Sequence, residues 1–280
     1  MEITKINHTF SLPSRWLENT ESLLQEIHPH LAKSTKKSLW IKELSDLYIN
    51  HSSERPDIWN SPQFQVAYLL YFMPLNYLRQ CYVINELKKT SVLDTIEEVV
   101  DFGSGCGTSQ LAFSVNVKND FPFQGIEINP AAVKLHQALC KNFNLPSPKV
   151  TSKINSTKGR NKLLFFSYSF NELDSIPENI FDFDHIAFVE PSNSIQSRKL
   201  MDFRQIALDK GYQAIAPCTH NMKCPLLTHS KKDWCHHTLN FDQPDWWKLT
   251  EKKLPIQNRS LSFTYLILSK VAKPNSTSWA

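Results

Sequence analysis

Glu98-Val99-Val100-Asp101-Phe102-Gly103-Ser104-Gly105-Cys106-Gly107-Thr108 is the stretch on which the fold turns. Its first five residues read as a buried strand and the residues from Thr108 onward as a helix, so the glycines fill a strand-to-helix turn. The chain has 280 residues and 6 glycines, where average composition would supply about 20. Three of the 6 are Gly103, Gly105 and Gly107. A sequence this sparing of glycine places such a cluster where the backbone must adopt a conformation that other residues resist, or must approach a ligand closely. Free amides at the start of the following helix can hold the ligand's negative group. A nucleotide-like ligand is therefore expected. A dinucleotide fingerprint needs glycine where Thr108 stands, which argues against that class.

The order acidic residue, then G-x-G-x-G, is similar to motif I of the class I S-adenosylmethionine (SAM) methyltransferases. That resemblance implies that Asp101, Gly103, Ser104, Gly105, Gly107 and Thr108 surround the methionine end of SAM, with Asp101 near its amino group. Glu127 ends the next expected strand and is placed to accept the ribose hydroxyls.

Outward from this stretch, short apolar runs alternate with helical segments, the pattern of a parallel sheet built from βαβ units. Strands are expected at 98–102, 123–128, 149–154, 163–168, 185–190, 212–216 and 262–269, and helices near 108–117, 130–143 and 195–209. The expected fold is α/β, a Rossmann-like seven-stranded sheet of the SAM-methyltransferase type. Residues 1–92 read as a helical N-terminal lobe, in which Ser61 and Pro62 open a helix and Pro74 splits the run that follows. Residues 93–280 form the methyltransferase-like domain, and an insertion at 217–261 precedes the last strand. Ligands in open α/β sheets sit beyond the carboxyl ends of the strands, which makes Asn171, Glu190 and Asn193 candidates. Glu190 can act as a general base and Asn171 can orient an acceptor.

Composition narrows the classes further. Hydrophobic residues make up 41% of the chain, enough for a large core and too many for general disorder. No apolar run is long enough to span a membrane, and the first residues lack signal-peptide order, so a soluble intracellular protein is expected. With 31 Lys+Arg against 27 Asp+Glu, the net charge of +4 is too mild to establish nucleic-acid binding. The 6 cysteines are unevenly spread: Cys218, Cys224 and Cys235 fall in the insertion with His220, His229, His236 and His237. Clustered Cys and His in a reducing compartment suggest a metal site, with Cys218, Cys224, Cys235 and His236 as the candidate ligands. Their spacing does not choose between zinc and an iron–sulfur cluster. The same segment interleaves Lys231, Lys232, Lys248, Lys252, Lys253 and Arg259 with Trp234, Trp246 and Trp247, a mixture suited to RNA or to a solvated surface over a tryptophan core.

Several stretches together resemble one family, the methyltransferase-like proteins of the mitochondrial ribosomal small subunit and their bacterial relatives. They are AYLLYFMPLNY at 67–77, VVDFGSGCGT at 99–108, SYSFNEL at 167–173, VEP at 189–191, APCTHNMKCPL at 216–226, DWCHH at 233–237 and FTYLILSK at 263–270. The resemblance implies a SAM-binding domain, an iron–sulfur cluster on Cys218, Cys224 and Cys235, and work on small-subunit assembly or rRNA. Three departures stand out. The family's Glu-Pro-Gly-Thr-Pro is Glu190-Pro191-Ser192-Asn193-Ser194, its Cys-His-Phe is Cys235-His236-His237, and its last cluster cysteine is missing. The expected function is a SAM-dependent methyltransferase-like protein acting on or assembling with small-subunit rRNA, in the bacterial cytoplasm or the mitochondrial matrix. The other readings are a non-catalytic assembly factor on the same scaffold and a methyltransferase of a small molecule or peptide.

Overall fold

The strand at the heart of the motif has its two valines on opposite faces, with Val99 in one apolar core and Val100 in another, as the two-residue period of a strand requires. The computed structural model describes residues 9–49, 58–90, 92–117, 122–154, 161–218, 220–255 and 257–271. Its strands are β1 (Thr9–Phe10), β2 (Glu98–Phe102), β3 (Phe123–Ile126), β4 (Lys149–Thr151), β5 (Lys162–Ser167), β6 (His185–Glu190), β7 (Gln213–Ala216), β8 (His237–Phe241) and β9 (Leu261–Ser269). The sheet order is β1-β8-β9-β6-β5-β2-β3-β4, and β7 also pairs with β9. Strands β4, β3, β2, β5 and β6 run parallel, whereas β9 is antiparallel to β6, β7 and β8. The chain leaves β2 for β3 on one side and returns to β5 on the other. In open α/β sheets such a reversal marks where ligands bind, and here it falls at the carboxyl end of β2, where the glycine loop begins.

All seven expected strands are present. The two additional ones, β1 and β8, pair with each other in parallel, and β8 extends the sheet along β9. The insertion is accordingly more regular than expected and carries two short helices as well as β8.

The helices are α1 (Trp16–Ile27), α2 (Pro29–Ala32), α3 (Lys37–Ile49), α4 (Pro62–Ala67), α5 (Met73–Lys89), α6 (Val92–Thr95), α7 (Thr108–Asn116), α8 (Pro130–Asn142), α9 (Ser194–Asp209), α10 (Pro225–His229) and α11 (Asp245–Glu251). Ser61 caps α4 by accepting the Phe64 amide at 3.3 Å. Asn129 caps α8 by accepting the Ala131 amide at 2.8 Å. Between α4 and α5 the chain widens into a π-turn at Tyr68–Phe72, and Pro74 follows in the first turn of α5, where its missing amide costs nothing.

The helices before residue 92 do not have a core of their own. Leu78, Val83 and Ile84 of α5 belong to the same buried cluster as Val99, Phe165 and Ile267 of the sheet. The lobe and the sheet are therefore packed as one body. On the opposite face Phe166 stacks on Phe188 at 5.0 Å, and Phe170 meets Phe203 edge-on at the same distance. These rings fix the ends of β5 and β6, from which further site residues project.

Candidate active site and cysteine cavity

In the loop, Gly103, Gly105 and Gly107 have φ of +68°, +51° and +88°, the left-handed region that other residues enter only at a cost. The space around the loop is equally restrictive. A Cβ at Gly103 would lie 2.6 Å from Ser169 Cβ, and one at Gly105 would lie 2.9 Å from the Trp59 ring. A Cβ at Gly107 would lie 2.0 Å from His136 Cδ2. Trp59 comes from the lobe, so the lobe packs directly on the middle of the glycine loop.

Glu127 closes the other side. Its Oε2 accepts the Gly105 amide at 2.9 Å, and its Oε1 accepts the Ile128 and Asn129 amides, each at 2.8 Å. Three amides leave part of the carboxylate's capacity for a further donor. Asp101 is only 1% exposed, and among the described residues its carboxyl has the Ser109 hydroxyl beside it and no cationic partner. Burial pushes its carboxyl up to about 8, which the neighbouring Ser109 hydroxyl offsets in part and the Glu127 charge reinforces. Ser104 Oγ is buried without a partner, and the Thr108 hydroxyl lies 3.5 Å from Cys106 Sγ. The loop and Glu127 are thus held together at the carboxyl end of β2.

The turn after β5 abuts this loop. Ser169 Oγ donates to the Phe102 carbonyl at 2.5 Å, while Glu190 accepts the Phe170 amide at 3.0 Å and the Asn171 side-chain amide. Glu190 is fully buried, which raises its carboxyl to about 8, less the relief from Asn171 and the Phe170 amide. Asn171 Oδ1 is left without a partner. Asn193 is a helix cap, accepting the Gln196 amide at 2.9 Å.

The cysteines of the insertion meet as well. Cys218, Cys224, Cys235, His220, His237 and Arg204 all line a cavity of about 310 Å³. Cys235 Sγ lies 3.8 Å from His237 Nε2, and Arg204 Nε donates to Cys218 Sγ at 3.1 Å. Burial raises the Cys235 thiol to about 11. The expectation for His236 needs correction: it is exposed and turned to the Trp234 carbonyl at 3.3 Å, outside the cavity lining. Strand β8 starts at His237, and strand alternation sends neighbouring histidines to opposite sides. Among the described residues no three of Cys, His, Asp and Glu are grouped to hold a single metal ion.

Aromatic stacking surfaces for RNA are not found where the tryptophans suggested. Trp247 is fully buried against Trp246, and the Trp234 indole donates to the Ser192 carbonyl at 2.5 Å. The basic residues Lys248, Lys252 and Arg259 instead line a separate cleft of about 520 Å³. Sequence reading also passed over Trp59, Tyr168 and Arg79. The one available signal was the polar set Asn76, Arg79 and Gln80 in the N-terminal half of α5, among residues that are otherwise apolar.

Sheet order, antiparallel β9 and the glycine turn together define a Rossmann-like protein of the methyltransferase type. Residues 62–280 match the family described as mitochondrial small ribosomal subunit Rsm22, and the chain belongs to that family. Among solved structures, it is similar to a candidate RNA methyltransferase from Pyrococcus horikoshii at 14% identity, with 85% of this chain and 100% of that chain covered and a TM-score of 0.42. It is also similar to the precorrin-6y C5,15-methyltransferase of Geobacter metallireducens at 11% identity, covering 68% and 87% with a TM-score of 0.44. A candidate class I SAM-dependent methyltransferase from Listeria monocytogenes matches at 12% identity, covering 94% and 88% with a TM-score of 0.42. No curated protein matches the chain. Among the described residues no helix is long and apolar enough to cross a membrane.

Proposed function

We propose that this protein binds SAM between the glycine loop and the end of β3, and that it methylates or assembles with the RNA of the small ribosomal subunit. The observation that carries the cofactor is Asp101, a buried carboxyl beside the loop that has no cationic partner among the described residues, where the cofactor's ammonium supplies the missing charge. Glu127 has capacity left for the ribose hydroxyls. When bound, SAM supplies the electrophilic methyl group, and the chain's own task is to position an acceptor in line with it. Glu190 and Asn171 are the groups proposed to orient that acceptor and take its proton, since burial keeps Glu190 near neutrality in affinity for a proton. The family description supports the ribosomal partner and a mitochondrial location, or the cytoplasm in a bacterial member.

Isothermal titration with SAM tests the cofactor. Binding by the wild type and its loss in G105R support the reading, and no binding by the wild type overturns it. Mass spectrometry of small-subunit rRNA from cells with and without the protein tests catalysis. A second reading, a non-catalytic assembly factor, is favoured by the way both Glu190 oxygens are engaged in holding the turn after β5. An unchanged rRNA methylation pattern together with co-sedimentation on the small subunit would select it.

The cysteine cavity is proposed to hold an iron–sulfur cluster in preference to zinc. A single ion draws its ligands to within about 2.3 Å of one point, whereas a cluster spreads them over several iron atoms. Three thiols and His237 lining one cavity of about 310 Å³ supply thiolate donors of the kind the second arrangement uses. Cys218, Cys224 and Cys235 are the proposed thiolate ligands, with His237 beside Cys235.

A further inference from the structure

Asp101 has a counterpart of opposite charge in the lobe. Arg79 lies on α5, a helix that otherwise buries Leu78, Val83 and Ile84 in the core. Its Nη1 donates to Asn76 Oδ1 at 3.1 Å, its Nε is buried without a partner, and no carboxylate pairs with it among the described residues. Arg79 is half-buried, and a guanidinium partly withdrawn from water without a counter-charge is stabilised by an anion brought beside it.

Two chains of contact place Arg79 near the glycine loop. On one side Asn76 donates to the Tyr68 hydroxyl at 3.2 Å, and that hydroxyl neighbours Thr108 at the start of α7. On the other side the guanidinium sits 5.9 Å from the centre of the Tyr168 ring. Tyr168 precedes Ser169, the residue that packs on Gly103 and bonds to the Phe102 carbonyl. It holds a φ of +61°, which a bulky side chain adopts only when its surroundings enforce it, as they do at binding sites. Next to Arg79, Gln80 donates to Ser167 Oγ at 2.6 Å and pins the helix to the end of β5. Arg79 therefore stands between the glycine loop and the turn that follows β5.

The methionine end of SAM is a zwitterion, and this region offers one group of each sign that has no ion-pair partner among the described residues. We propose that Arg79 binds the carboxylate of the cofactor's methionine end while Asp101 takes its ammonium. The guanidinium fork matches a carboxylate in a way that a lysine's point charge does not. The helical lobe then forms part of the cofactor site, and the cofactor ties the lobe to the sheet. This inference rests on the SAM reading above.

Titration calorimetry with two ligands tests it. S-adenosylhomocysteine carries the amino-acid end, and methylthioadenosine has the same nucleoside without it. Wild type is expected to prefer S-adenosylhomocysteine. R79M should lose about tenfold to a hundredfold in affinity for that ligand and keep its affinity for methylthioadenosine, with R79K intermediate. Equal losses for both ligands, no loss for either, or a wild type that does not distinguish them would overturn the role of Arg79 and leave the SAM reading standing. Should R79M not fold, R79K carries the same comparison. A wild type that binds neither ligand overturns the SAM reading, and the role of Arg79 falls with it.

Discussion

Glu127 Oε2 accepts the Gly105 amide at 2.9 Å, so the carboxylate at the end of β3 is tied to the middle of the glycine loop before any ligand arrives. With the Ile128 and Asn129 amides on its other oxygen, Glu127 holds three backbone donors in one arrangement. Charge-assisted bonds of this kind fix geometry and contribute to stability. Replacing Glu127 by alanine leaves all three amides to find water, at a cost of about 1–3 kcal/mol. E127A should therefore lower the unfolding temperature as well as SAM affinity. E127Q, which keeps an acceptor, should recover most of the stability and little of the affinity. Thermal melting and titration calorimetry on the two variants separate these effects, and a fully stable E127A would contradict this role.

Gly107 and Gly211 provide a paired test of why the loop is glycine. Both are left-handed, with φ of +88° and +90°, but a Cβ at Gly107 meets His136 Cδ2 at 2.0 Å and one at Gly211 meets nothing within 4 Å. G211A pays only the conformational penalty, about 1–2 kcal/mol. G107A adds a collision with His136, which is fully buried and whose Nε2 bonds to Gln110 Oε1 at 2.8 Å, so it cannot yield cheaply. Denaturant melts should show G107A as much the less stable of the pair, and comparable losses would mean that the loop accommodates a side chain.

Asp101 makes the site pH-dependent in a definite direction. Its folded carboxyl is raised to about 8 from an ordinary 3.8, so the folded chain holds a proton there that the unfolded chain has released. The stability contributed by this group is greatest at low pH and declines as pH rises through that window. D101N removes the dependence, so its melting temperature should approach the wild type's near the acid end of the window and exceed it above about pH 8. Binding of an ammonium needs the ionised form, so SAM affinity should rise with pH, by at most about tenfold per unit, and level off above the raised value. D101N should abolish the rise. A flat affinity profile for the wild type would remove Asp101 from the cofactor site.

Much of the fold was legible because β5 and β6 carry four-residue apolar runs, Leu163 to Phe166 and Ile186 to Val189, the mark of strands buried on both faces. Strand β8 was not, since only Leu239 of its five residues is buried and its pairing is set by the neighbouring β9. The loop and Glu127 were legible because spacing along the chain carries their meaning. The positions of Arg79 and Trp59 were not, because they are set by contacts with Tyr168 and Gly105, which are distant in sequence. The packing of α5 on the sheet was not legible either: helical periodicity shows which face of α5 is apolar and says nothing of the sheet it covers.

His236 and His237 make the same point and can be separated by experiment. As adjacent histidines after Cys235 they are equivalent in the sequence, and only the start of β8 distinguishes them. His237 lines the cavity with the thiols, and its ring sits 4.6 Å from that of Tyr265 in β9, which holds it in place. His236 is exposed. If the cavity holds an iron–sulfur cluster, C218S, C224S and C235S should each strip most of the iron and the visible absorption from anaerobically purified protein. H237A should weaken retention of the cluster, and H236A should leave both iron content and colour at the wild-type level. Because a bound cofactor adds stability in proportion to how tightly the folded form holds it, the same order should appear in melting temperatures. Iron lost equally from H236A and H237A would place the histidine ligand elsewhere, and a wild type with neither iron nor zinc by elemental analysis would remove the cluster altogether.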